Sequence, residues 1–207
     1  MYIPTHFNME SKAEAISFIE QNSFGALVVN KVAGLSATHI PFVYSESKDG
    51  LGFLYSHISV ANPQLNEISV QTEVMVIFQG ANTYVSSSWY DHVNVPTWNY
   101  IAVHVYGKIR IIEGEELIAS LGLLVGKHES NSPNAVTMES MPKDFLNSHI
   151  KGIIGFEIQI ERMEGVKKLS QNRDDKNYKN IISELEKASD GNSGEIAAQM
   201  RKMRKVD

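Results

Sequence analysis

VPTWNYIAVHVYG, residues 95–107, sets Trp98, Asn99, Tyr100, His104 and Tyr106 in one short loop-then-strand run. Ile101, Val103 and Val105 alternate with His104 and Tyr106, the period of a half-buried strand, so the run is a β element. The same stretch suits a planar ligand: indole is a rigid stacking face, and an Asn side chain brings two donors and an acceptor to a heterocycle's edge.

Outward from this strand the chain repeats its logic. Residues 24–30, 35–44, 51–57, 73–78 and 83–85 are short runs rich in Val, Ile, Phe, Tyr and Thr, separated by Gly34, Asp49-Gly50 and Gly80. Residues 100–112 read as a long strand interrupted at Gly107. Residues 153–161 set Ile154, Phe156, Ile158 and Ile160 against Gly155, Glu157, Gln159 and Glu161, the cleanest period of two in the sequence. Helices fill the intervals: 10–22, with Asn8 as its cap and Ala13, Ile16 and Ile19 as its apolar stripe, then 113–127, 143–148, 174–187 and 195–204. Many short strands with few βαβ signals predict a mainly β fold, a closed or nearly closed barrel with peripheral helices.

With 207 residues and 43% hydrophobic content the chain can bury one sizeable core. It is expected to form a single domain over residues 1–190, with residues 191–207 as a C-terminal helix and basic tail of that domain. The Gly191-Asn192-Ser193-Gly194 stretch reads as a flexible joint before the last helix. The absence of cysteine removes disulfides, thiolate metal sites and a cysteine nucleophile, and it suits a reducing compartment. Apolar runs such as 101–103 are too short to cross a bilayer, and residues 1–7 lack the order of a signal peptide, so the expectation is a cytoplasmic protein with no membrane partner.

Charge and motif tests exclude several functions. A net charge of −5 disfavours a broad nucleic-acid footprint. Yet Arg201, Lys202, Arg204 and Lys205 face only Asp207 in the tail, leaving it at +3 and the remainder of the chain at −8. The macrodipole of a terminal helix accounts for such a cluster, and weak DNA binding through the tail is the alternative. Gly50 and Gly52 begin a dinucleotide fingerprint that Tyr55 ends, and Gly122 and Gly126-Lys127 are one residue short of a phosphate loop. The seven histidines contain no pair at helical zinc spacing, so no metal site is expected. Ser86, Ser87 and Ser88 lack the glycines of a nucleophile elbow and read as residues that satisfy turn amides before Trp89.

Seven segments taken together carry a family likeness. They are ATHIP (37–41), HISVANP (57–63), FQG (78–80), YVS (84–86), SWY (88–90), PTWNY (96–100) and KLSQNR (168–173), preceded by MYIP (1–4) and His6-Phe7. In this order they resemble the PaiB family of FMN-binding split-barrel proteins, described as negative transcriptional regulators, and the resemblance spans nearly the whole chain. It implies a six-stranded split barrel, a homodimer and FMN as cofactor.

For such a cofactor, His57, Ser59 and Asn62 would supply donors to the phosphate from a strand end and the turn after it. Asn62-Pro63 also reads as a helix start, whose N-terminus would itself favour phosphate. Thr38 and His39 would meet the pyrimidine edge of the isoalloxazine, with Trp98 and Asn99 arriving from the neighbouring subunit. Ser170 and Gln171 belong to the same site, although Asn172 also reads as the cap of the helix opened by Asp174 and Asp175. Lys168, or Arg173 after it, would stabilise the anionic reduced flavin and so tune its potential. The chain departs from the family pattern at Val60, at Leu65 and at Gly80-Ala81-Asn82, which predicts a looser hold on the phosphate. Two other functions fit the same residues: an FMN-dependent oxidoreductase acting on a small planar substrate, and a flavin-free dimeric binding module.

Overall fold

The structure is a computed structural model, and it describes residues 1–31, 34–68 and 71–205. Among these residues the chain forms seven strands: β1 Phe24–Lys31, β2 Gly34–Pro41, β3 Val43–Ser45, β4 Phe53–Ser59, β5 Thr72–Val85, β6 Thr97–Ile112 and β7 Ile153–Lys168. Five α-helices accompany them: α1 Lys12–Gln21, α2 Gly114–Glu129, α3 Lys143–Ile150, α4 Asp175–Lys187 and α5 Gly191–Met203. Hydrogen-bonded neighbours run in the order β2-β1-β5-β6-β7-β4-β3. The fold is therefore mainly β, as the alternation predicts.

The strand boundaries are where sequence and structure part. The expected strand 35–44 is two strands, because the chain turns at Phe42, whose amide bonds the Ser23 carbonyl at 2.8 Å. Gly80 does not end a strand. β5 runs through it, and the inward face changes parity there, from Val74, Val76 and Phe78 to Ala81, Thr83 and Val85. Gly107 does not interrupt β6 either: a Cβ at this position would lie 2.1 Å from the Gln159 carbonyl oxygen, so the glycine permits close backbone approach.

The chain divides into two compact units. One comprises Met1–Ala15, Gln79–Val103 and Glu164–Asp207. In it Phe7, Ala102 and Val166 form a small cluster with Met1, Ile3 and Tyr100 packed against it. Tyr178, Ile181, Ile182 and Leu185 of α4 and Ile196, Ala197 and Met200 of α5 are all buried, each large apolar side chain contributing about 1.5–3 kcal/mol. The Tyr178 hydroxyl donates to the Met200 carbonyl at 2.8 Å. Asp174, not Asn172, caps α4, accepting from the Asn177 amide at 3.0 Å, because its carboxylate stands three residues before that donor. The expected joint at 191–194 is the first turn of α5, where Asp190 accepts from the Ser193 amide at 2.8 Å and the buried Ser193 hydroxyl meets Thr83 at 2.8 Å. Asn8 does not cap α1. It bridges to Val166, and the Ser11 hydroxyl accepts from the Glu14 amide instead, at 3.2 Å.

The other unit comprises Ile16–Phe78 and His104–Met163. β1 and β2 form an antiparallel hairpin from Phe24 opposite Pro41 to Lys31 opposite Gly34. β4 pairs antiparallel with β7, Phe53 opposite Gln159 and Ser59 opposite Ile153. Leu117 and Leu121 of α2 pack with Ile112 and Met138. Gly155 lies beneath this helix, since a Cβ there would be 2.4 Å from Leu117 Cδ1. α2 thus covers what the alternation of β7 predicts to be a solvent face, and Glu157 is buried there with a salt bridge to Arg110 at 2.6 Å.

Candidate functional site

The expected site residues fall into two sets, one in each unit. In the unit containing β1 and β4, the set is Thr38, His39, His57, Ser59 and Asn62. Thr38 and His39 lie in β2, where Thr38 stands opposite Leu27. His57 and Ser59 end β4, His57 opposite Gly155.

Asn62 follows the turn at residues 60–61, its own amide donating to the Ser59 carbonyl at 2.9 Å. It caps a short 3-10 helix, Pro63–Glu67, accepting from the Gln64 amide at 2.9 Å. The expected helix start is present. With five residues and 3-10 geometry, however, it has no macrodipole to offer a phosphate.

Counting donors and acceptors decides what this set offers. Asn62 Nδ2 donates to Thr38 Oγ1 at 3.1 Å, so the Thr38 oxygen accepts internally and its own proton remains for a ligand. Ser59 Oγ likewise accepts from the Ala61 amide at 3.2 Å. Asn62 Oδ1 is taken by Gln64, leaving the second Nδ2 proton as its offer. Each of the three side chains keeps a proton to offer, which suits a phosphate ester or the carbonyl edge of a flavin.

His57 adds to this surface without adding charge at neutral pH. Burial pushes the His57 pKa below its ordinary value, so its ring is neutral at pH 7 and brings one donor. His39 is exposed and stacks on Phe24 with ring centroids 6.2 Å apart. The residues therefore fit FMN by the chemistry of their donors.

Gln64 and Ser36 were not legible as part of this arrangement. Gln64 is 2% exposed, and its Nε2 lies 3.2 Å from each of Leu27 O, Ser36 O and Ser36 Oγ. Its Oε1 is buried with no hydrogen-bond partner among the described residues. A polar residue two places after a capping Asn was the only available signal, and it reads as an ordinary surface position.

The second set lies in the unit containing α4 and α5. Trp98 is 53% exposed and meets Tyr84 edge to face at 6.1 Å. Asn99 is completely buried: its Oδ1 accepts from Ser170 Oγ at 3.0 Å and its Nδ2 donates to Met200 Sδ at 3.6 Å. With both ends engaged, Asn99 anchors the turn that carries Ser170. Ser170 needs an anchor, because it is buried at φ 58, a left-handed conformation unfavourable to a residue with a Cβ.

Gln171 braces the same turn, accepting from the Leu169 amide at 2.7 Å and donating to the Lys167 carbonyl at 2.6 Å. Lys168 Nζ donates to Thr97 Oγ1. Burial, with the Arg173 charge adding to it, pushes the Lys168 pKa below the usual ammonium value. Arg173 lies over the Tyr90 ring at 4.9 Å, and the buried Tyr90 hydroxyl has no partner among the described residues. Thr97 and Tyr90 are thus neighbours of the set that the sequence motifs contained without marking. Ser86 plays the expected turn role, accepting from the Ser88 amide at 3.2 Å.

Residues 1–162 match the family model described as "Putative FMN-binding domain". The chain is 38% identical over 200 residues to Protease synthase and sporulation protein PAI 2 of Bacillus subtilis, covering 97% of this chain and 96% of the relative. Among solved structures it is similar to the flavocytochrome Anf3 of Azotobacter vinelandii, with TM-score 0.59 and 11% identity over 80% of this chain and 72% of that one. It is also similar to an FAD- and haem-binding protein of Mycobacterium smegmatis, with TM-score 0.56 and 12% identity over 78% and 73%. At such identities the two structures speak to the fold.

Proposed function

The chain belongs to the FMN-binding domain family, a split-barrel fold, and from that premise we propose that it holds FMN through Thr38, His39, His57, Ser59 and Asn62 of one subunit. Trp98, Lys168, Ser170 and Gln171 complete the site from a second copy, with Asn99 as their support. The protons that Thr38, Ser59 and Asn62 keep beyond their internal hydrogen bonds carry this reading, because a phosphorylated flavin presents acceptors for them. Bound FMN supplies one- and two-electron redox chemistry; Lys168 sets the charge beside it.

The homodimer has its own support. Phe24 and Leu35 are exposed on β1 and β2. Val28, Leu35, Met75 and Tyr106 line a groove of about 370 Å³ on the face of the sheet turned away from its core. Exposed apolar surface of this kind marks an interaction site.

The role we assign is regulatory, in line with the resemblance to negative transcriptional regulators and with a relative whose name joins protease synthesis to sporulation. A cysteine-free composition suits the cytoplasm. DNA contact, where it occurs, falls to the tail. There the exposed Arg201 is paired with Glu186 at 2.7 Å, and Arg204 donates to the Arg173 carbonyl at 2.7 Å, which leaves Lys202 and Lys205 as the exposed cations outside any ion pair among the described residues; Asp207 lies outside the described residues.

The visible absorption spectrum of protein purified without added flavin tests the cofactor. A flavin band that survives gel filtration supports the reading. Colourless protein that fails to take up FMN on mixing leaves the flavin-free binding module.

A further inference from the structure

We propose that Gln64 is a positioning residue for the phosphate of the bound cofactor, holding the turn after β4 so that the free amide proton of Asn62 stays turned toward the ligand. The proposal rests on the FMN reading above. Its geometry lies within one unit: the Gln64 amide nitrogen reaches Leu27 O, Ser36 O and Ser36 Oγ, each at 3.2 Å, and so ties the turn after β4 to the β1–β2 hairpin.

The amide orientation is decided by chemistry. Turned over, Oε1 would face two carbonyl oxygens, so Nε2 must point at them and Oε1 is left buried with no partner among the described residues. A buried acceptor without a donor costs stability. Gln64 is therefore poorly explained as packing and well explained as an anchor. Its backbone amide bonds Asn62 Oδ1, which turns Asn62 Nδ2 toward Thr38 Oγ1 and leaves one Nδ2 proton for a ligand. If the anchor is lost, the turn is released and the free Nδ2 proton of Asn62 is no longer held toward the phosphate.

The test compares FMN with riboflavin, which shares the ring system and lacks the phosphate. By fluorescence quenching, the full-length wild-type chain should prefer FMN by at least about tenfold, the order of a hydrogen bond to a charged group. Gln64→Met should abolish most of that preference while leaving riboflavin affinity and the wild-type dimer intact. A merely structural role would weaken both ligands together.

Should Gln64→Met fail to fold, Ser36→Ala removes one of the three anchors and should reduce the preference about threefold. A preference for FMN retained in the folded Gln64→Met variant, or in Ser36→Ala when the former does not fold, overturns the positioning role and leaves the FMN reading standing. Failure of the wild-type chain to bind either flavin overturns the FMN reading and the positioning role with it.

Discussion

Lys168 combines two properties that matter for a redox site: its ammonium is partly withdrawn from water, and it is held on Thr97 beside Arg173. Replacing it by Met removes a charge whose burial already works against it, so the fold should survive. If Lys168 faces the flavin's reduced edge, Lys168→Met lowers the midpoint potential of bound FMN, measured by dye-coupled titration; an unchanged potential transfers the role to Arg173. His57 gives a pH dependence with a definite sign. Its folded pKa lies below the ordinary 6.5, so the folded state favours the neutral ring. That contribution is fully present above about pH 6.5 and is lost as pH falls through the folded value. Thermal midpoints should therefore drop on acidification below pH 6.5, and His57→Gln should flatten that part of the profile. At this scale the sequence was legible where a residue's chemistry is its role, as for Asn62, which both caps a helix and bonds Thr38. It was silent at Gln64, because a buried amide and an exposed one look alike without the fold around them.

Strand interiors show why glycines misled the reading of boundaries. Gly80 and Gly107 carry the usual signature of a break, yet one accompanies a change of face within β5 and the other admits the β7 backbone to β6. The second is a property of a neighbouring strand far away in sequence. Gly107→Ala should destabilise the protein by about 1–3 kcal/mol or more, as overpacking does, seen as a lower denaturant midpoint; an unchanged midpoint would mean that β7 yields easily at Gln159. The cover of β7 by α2 was equally hidden, since Glu157 sits at the polar phase of a perfect alternation. Arg110 bonds Glu157 at 2.6 Å and Glu116 of α2 at 3.0 Å, and burial together with a hydrogen bond to Glu157 pushes Tyr55 up to about 12. Arg110→Met should cost about 1–2 kcal/mol, because it strips the buried Glu157 carboxylate of its partner while Arg110 itself is 40% exposed, read in urea unfolding. A loss well below 1 kcal/mol would show that α2 is held by its Leu117 and Leu121 contacts alone.

For the whole molecule, composition and alternation sufficed for the mainly β class, and ordered motifs sufficed for the family. The split of one expected strand at Phe42, the merging of two others across Gly80 and the two compact units were not legible, because they follow from contacts between distant segments. If Trp98 reaches the flavin of a second copy, Trp98→Ala weakens FMN binding and dimerisation together, as analytical ultracentrifugation with and without FMN would report. Wild-type FMN affinity in that variant would make Trp98 a surface residue. With Arg201 and Arg204 engaged, the tail has about two cations for phosphates, so any DNA binding should show a log–log salt slope near −1.8 per tail. Removal of residues 201–207 should abolish it without touching flavin affinity, and a steeper slope would mean that these ion pairs open on DNA. The most direct test of the central claim is a fluorescence titration of FMN with the purified full-length chain at micromolar concentration. Saturable quenching at one FMN per chain is the predicted result; FMN fluorescence that stays at its free value throughout the titration would contradict it.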